Sequence, residues 1–139
     1  AVGSGAGWLR HRLTLTHAEP AVRAEARTFI ADLVRVAADL GAPVIVGSMQ
    51  GRHEGEVSRA DALDFLADAL HDLGRHAAAR GQVLLYEPLN RYETNLFTRV
   101  GDAAAFLRDR RVSGVGLLCD LFHMNIEEAD LPAALVGAP

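Results

Sequence analysis

The sequence has 139 residues, half of them apolar, which is the length of one ordinary domain with enough apolar material for a packed core. A formal charge of -4 and a pI near 5.8 leave no surplus of Lys and Arg to neutralise phosphates. That balance argues against a general nucleic-acid or anionic-membrane binder and in favour of a small-molecule partner.

Taken in chain order, the first residues, AVGSGAGWLRHR, lack the charged and apolar regions of a signal peptide and read as a chain entered midway. Gly3, Gly5 and Gly7 imitate a phosphate loop only superficially, because no strand precedes them and the G-x-G-x-x-G order is absent. On the residues alone they are expected to form a mobile turn leading to Trp8. From Pro20, apolar residues recur at three- and four-residue spacing (Val22, Ala26, Phe29, Ile30, Leu33, Val34, Ala37, Leu40) up to Gly41, which predicts an amphipathic helix. Pro43 to Val46 is a short β-branched run suited to a strand buried on both faces, followed by a polar loop from Gln50 to Glu56.

Ser58 and Asp61 make a capping-box-like start for a second helix, whose stripe runs through Ala62, Phe65, Leu66, Ala69, Leu70, Leu73 and Ala77 to Gly81. Val83 to Tyr86 reads as a strand, EPLNRYETN as a polar loop, and Ala103, Phe106 and Leu107 mark a third helix. Val115 to Cys119 is the next strand, and the only cysteine, Cys119, is expected to pack in the core. A lone cysteine permits no intrachain disulfide and fits a reducing, cytoplasmic setting. Asn125 and Glu128 are expected to cap a last apolar stretch, Leu131 to Val136. No apolar run approaches the roughly 20 residues that span a bilayer.

Strict alternation of helices with continuous apolar strands predicts a parallel α/β sheet. A closed (β/α)8 barrel takes roughly 250 residues. Parallel sheets come as doubly wound open folds or closed barrels, and if this is a barrel, 139 residues supply only about half of it. Two of those strands end alike: VLLY is followed by Glu87, and VGLLC by Asp120. The carboxyl edge of a parallel sheet is where ligands bind, and two acids on adjacent strands repel unless a cation lies between them. His123 follows Asp120 by three residues, and this oxygen and nitrogen set suits Mn, Co, Mg or Zn. An acid at a strand end also serves as a helix cap or a solvated loop residue, and both readings stay open at this point.

GSMQGR (47–52), EPLNRYETN (87–95) and CDLFHMNIEE (119–128) closely resemble segments of sugar phosphate isomerase/epimerase proteins. That group has a xylose isomerase-like barrel and includes ketose 3-epimerases such as the tagatose and psicose enzymes, which implies that residues 1–139 are a fragment of a single α/β TIM barrel domain, a partial (β/α)8 barrel of about three strands and their helices. Comparable glycines in that group follow an earlier strand, which implies that Gly3, Gly5 and Gly7 are the last piece of a strand. The resemblance covers nearly the whole chain from about Gly5. It implies a divalent metal ion (Mn, Co or Mg, with Zn less favoured) held by Glu87 and Asp120, with Glu87 also one of two acid/base carboxylates. It implies that Glu93 and His123 hold substrate hydroxyl or carbonyl oxygens, and that the reaction moves a proton beside a ketose carbonyl through an enediolate. The family's other ligands, a His and a second catalytic Glu on later strands, have no counterpart in this sequence, so the chain alone is expected to be incomplete and inactive.

Asn90, Arg91 and Glu93 after Glu87, together with His123, Met124 and Asn125, favour the epimerase reading. One alternative is an endonuclease IV-like abasic-site nuclease, which shares the Asp-x-x-His element but wants a basic DNA-facing surface. Another is a truncated, non-catalytic remnant that self-associates through open strand edges as a homo-oligomer. Gln50 and Arg52 either contact substrate or simply place their loop, with the second favoured. His71 and His76, five apart, do not share the helical face that a four-residue spacing would give them.

Overall fold

A computed structural model describes residues 1–137. Four short strands, β1 (Val2–Gly3), β2 (Val44–Val46), β3 (Leu84–Tyr86) and β4 (Val115–Leu117), form one all-parallel sheet in the order β1-β2-β3-β4. Six helices accompany them: α1 (Gly5–His11), α2 (Pro20–Asp39), α3 (Arg59–Ala78), α4 (Val100–Asp109), α5 (Leu121–Glu127) and α6 (Leu131–Gly137). Each strand lies beside its predecessor, in register Val44↔Leu84 and Leu84↔Val115, so successive helical connections advance the sheet one strand at a time. This is part of a (β/α) barrel, with one strand more than expected.

The three long helices form as their periodicity predicts. Proline at the start of α2 has no N–H to leave orphaned, and α2 turns Ala26, Ile30, Val34 and Ala37 inward. Ser58 caps α3 by accepting from the Asp61 N–H, and α3 buries Ala62, Leu66, Ala69, Leu70 and Leu73. The core lies between these helices and one face of the sheet, with Val44, Val46, Leu84 and Tyr86 fully or almost fully buried. The Pro43–Val46 strand was expected to be buried on both faces, yet β2, like β3, buries alternate residues, because Ile45 and Leu85 point to the other face and are only half-buried. Among the described residues no helix is long and apolar enough to cross a membrane.

Three local expectations need correction. The glycines near the start are not a mobile turn: Gly3 closes β1, as the alternative of a strand's last piece requires, and the Val2 N–H of that strand reaches the Pro43 carbonyl at 2.8 Å, while Gly5 and Gly7 lie inside α1. Asn125 does not cap the last helix but sits on the exposed side of α5. Its supposed partner Glu128 instead accepts from the Val100 N–H at 2.9 Å, capping α4 across the fold, while Asp130 takes the Ala133 N–H at the start of α6. Finally, Cys119 lies beyond the end of β4 and is half-buried rather than in the core.

A pair of glycines sets the seat of β4. Gly114 turns the chain into the strand at φ +73, a conformation open to glycine, and meets Gly74 of α3 backbone to backbone. A side chain on either would strike the other's main chain or that of Ser113. The sheet and α3 therefore approach here as closely as backbones permit.

Candidate active site

Every strand that ends at the carboxyl edge hands its last residue to a loop, and the site is built there. β3 runs straight into Glu87, whose N–H donates to the Val46 carbonyl at 3.0 Å, so the ladder continues one residue past the strand. Two residues hold that end. Gln50, wholly buried in a 3-10 turn (Ser48–Gln50), donates through Nε2 to the Glu87 carbonyl at 3.0 Å and the Gly47 carbonyl at 3.1 Å. Its Oε1 accepts from the Tyr86 hydroxyl at 2.7 Å, and burial pushes that phenol far above its ordinary pKa, so it stays a donor. Gly47 supplies the remaining space, because a Cβ there would come within 2.6 Å of Glu87 Oε2. Sequence reasoning favoured Gln50 as a residue that places its loop. It does so, and also braces the strand end that carries Glu87.

β4 ends three residues before Asp120, and the Leu118 N–H still donates to the Tyr86 carbonyl at 2.9 Å. Asp120 is the N-cap of α5, accepting from the Phe122 N–H at 2.8 Å through one oxygen. The cap and the strand-end acid are one residue. His123 enters in the first turn of α5, almost fully buried, with Nε2 3.8 Å from Glu87 Oε1. One ligand atom from each of Glu87, Asp120 and His123 lies within 4.8 Å of the others.

Glu93 stands outside this group. It is exposed on the β3–α4 loop, 3.8 Å from His123 Nδ1 and held by Asn90, whose Nδ2 donates to it at 2.9 Å. Burial pushes the Glu87 carboxyl above its ordinary value, and the negative charges of Asp120 and Glu93 push it the same way, while His123 opposes them. The group of acids thus lacks enough positive charge of its own, which is the electrostatic condition a cation relieves. Two carboxylates and an imidazole are also a donor set that divalent ions accept.

The loops around the site are stitched to one another. Asn95 exchanges two hydrogen bonds with the His53 backbone, both at 2.9 Å, and Thr94 donates to the Gly51 carbonyl at 3.0 Å. Arg91 donates from Nε to Glu127 at 2.8 Å and from its backbone N–H to the same oxygen at 2.9 Å, tying the β3–α4 loop to α5. That bond from Arg91 holds the Glu127 carboxyl below its ordinary pKa. A cleft of about 810 Å³ opens beside the site, lined by Trp8, Arg12, Arg52 and Tyr92, and reaches it through Glu93. The Arg52 guanidinium makes a long 3.5 Å contact with the Tyr92 carbonyl, and the Arg52 carbonyl accepts from the Thr16 hydroxyl at 2.9 Å.

Known proteins resemble this chain in sequence and in fold. The chain is 32% identical over 123 residues to the L-ribulose 3-epimerase of Mesorhizobium japonicum, covering 87% of this chain and 41% of that protein. It is 37% identical over 70 residues to the 3-dehydro-D-guloside 4-epimerase of Escherichia coli, covering 50% of this chain and 27% of that one. The D-allulose 3-epimerase from Methylomonas sp., solved in complex with D-allulose, superposes with a TM-score of 0.81 at 27% identity, over 92% of this chain and 45% of that one. The chain spans about two-fifths of the length of the L-ribulose 3-epimerase. The family model described as xylose isomerase-like TIM barrel matches residues 3–139, and this chain belongs to that family.

Proposed function

We propose that this chain carries one side of a divalent-metal site in a sugar epimerase or isomerase, with Glu87 and Asp120 as metal ligands and Glu87 also as an acid–base group. One observation carries the reading: Glu87, Asp120 and His123 converge on one strand-end edge, with ligand atoms within 4.8 Å of one another. Carboxylate oxygens suit Mn and Mg, and the resemblance adds Co, with Zn less favoured. A bound divalent ion would polarise a ketose carbonyl and stabilise the enediolate formed beside it. Glu87, whose carboxyl burial pushes above its ordinary value, is suited to take and return the proton at the neighbouring carbon. Glu93 and His123 would hold hydroxyl or carbonyl oxygens.

The substrate class proposed is a small ketose or related hydroxy-carbonyl compound, since the relatives act on L-ribulose, D-allulose and a 3-dehydro-D-guloside by their names. Two of them are 3-epimerases and one a 4-epimerase, so the carbon inverted is left open. The acidic charge and lone cysteine fit a cytoplasmic enzyme of small molecules better than a nuclease.

The test is a titration with Mn2+, Co2+ and Mg2+ followed by a ketose panel in deuterated solvent, reading deuterium uptake beside the carbonyl. Glu87→Gln should fold normally and lower metal affinity by about tenfold or more, as removal of a charged ligand does. Undiminished metal affinity and full exchange in that variant would sink the assignment.

A further inference from the structure

His123 lies with two carboxylates in an arrangement that would make it a third metal ligand if its Nε2 carried a free lone pair. Which ring nitrogen bears the proton follows from the groups around the other one. The Asn90 backbone N–H, which can only donate, points at Nδ1 from 3.2 Å. The Asn90 side chain meets the same nitrogen through Nδ2 at 2.9 Å.

The orientation of that amide is fixed at both ends. Its Oδ1 accepts from the Tyr92 N–H at 3.0 Å, and its Nδ2 donates to Glu93 Oε1 at 2.9 Å. Reversing it would set an oxygen against the Glu93 carboxylate and an NH2 against an N–H. Nδ1 therefore faces two donors and must accept, so the neutral ring carries its proton on Nε2. Asn90 and His123 are almost fully buried, and Phe122 packs edge-on against the imidazole with centroids 5.2 Å apart. Water has little room to supply an alternative partner.

We propose that Asn90 is a positioning residue that locks His123 in the Nε2–H tautomer, so that His123 presents a proton donor to the site and is not a metal ligand. The group that binds at Nε2 must then be an acceptor; Glu87 Oε1, the acceptor on that side, stands 3.8 Å away, beyond hydrogen-bond reach. On the reading given under Proposed function, that group is the carbonyl or enediolate oxygen of a ketose, which accepts at every stage of the exchange. An sp3 hydroxyl can also rotate to accept, but only the developing oxyanion gains strength from a fixed donor as charge builds. Asn90 further joins the two substrate-facing residues, Glu93 and His123, into one unit that moves together.

Long-range proton–nitrogen NMR correlations on the labelled chain read the tautomer directly, with the His123 signals identified by their loss in His123→Gln. The expected pattern has a protonated Nε2 and an unprotonated Nδ1, unchanged when saturating Mg2+ is added. Asn90→Asp keeps the shape but replaces the donor with an acceptor, and should move the proton towards Nδ1. Asn90→Ala, with only the longer backbone contact left, should show a mixture. A wild-type ring protonated on Nδ1, an Nε2 that loses its proton on metal addition, or a tautomer identical in wild type and Asn90→Asp would each overturn the proposal. In metal titrations His123→Gln should stay within about twofold of wild type where Asp120→Asn loses about tenfold or more; equal losses would also overturn it. If the wild-type chain binds no divalent ion, the metal reading fails while the tautomer still decides this inference.

Discussion

The two strand-end acids look alike in the sequence and are held in opposite ways. Glu87 ends an interior strand: β3 has neighbours on both sides, Tyr86 beneath it is fully buried, and Gln50 and Gly47 fix the main chain and the space around the carboxylate. Asp120 follows β4, which pairs with β3 alone among the described residues and has no fully buried residue. It is fixed by the helix it starts rather than by the sheet it follows. A site built from one braced acid and one capping acid has a rigid half and a half coupled to α5. Burial and neighbouring charge push the pKa of the braced acid upward.

The largest effect should come from removing the brace. Gln50→Leu leaves the Tyr86 hydroxyl and the Glu87 carbonyl without partners in a dry interior, which should cost about 3 kcal/mol in urea unfolding. Gln50→Glu, which still accepts from Tyr86, should cost less at low pH than at neutral pH. If Gln50→Leu were neutral, the contrast between a braced and a capping acid would disappear.

A more targeted change is Gly47→Ala. It drives a methyl group against the Glu87 carboxylate and should reduce Mn2+ affinity by about tenfold or more while leaving most of the stability intact. On the other strand, Asp120→Ala removes cap and ligand together, and should cost about 1 kcal/mol of stability as well as metal affinity. Asp120→Asn keeps the cap, so it should stay within a few tenths of a kcal/mol of wild type yet still lose metal affinity. Equal stability losses in the two would show that the cap contributes nothing.

The smallest and most diagnostic effect is in pH. Glu87 has a raised pKa in the folded chain, so its charge costs stability at neutral pH, and that cost fades as pH falls through its folded value. Metal affinity should fall over the same window, because protons compete for the ligand. Glu127, lowered by its bond from Arg91, behaves the other way: its stabilisation is present above the ordinary glutamate range and is lost as pH falls through its depressed value. Stability curves of Glu87→Gln and Glu127→Gln against wild type should therefore differ in opposite directions as pH drops, with the Glu127 term small because Arg91 is exposed to solvent.

Much of this was legible from spacing alone. The stripes of α2 and α3 face a single core, so their period survives in the sequence, and the apolar runs ending in Glu87 and Asp120 mark the edge they share. The rest depends on contacts between distant residues. β1 is two residues long and exists through its pairing with β2, which no local pattern encodes. α5 was overlooked because its first residues, Leu121 and Phe122, are exposed and leave no inward stripe, while its start signal, Asp120, was already read as a site residue. The clamp on Glu87 joins Gln50 to Tyr86 across 36 positions, and the lock on His123 reaches it from Asn90 across 33. Both residues stood out as polar members of recognisable segments, but their roles required the geometry.

The backbone contact between Gly74 and Gly114 bears on how this chain tolerates change. Gly74 is remote from both acids in sequence and Gly114 lies six residues before Asp120, yet together they set how high β4 rides on α3, and thus where Asp120 meets Glu87. A substitution at either would not remove any group from the site; it would slide one wall past the other. Variation that spares every polar residue described above can still misalign them, and these two silent positions should be among the least forgiving in a library of random replacements.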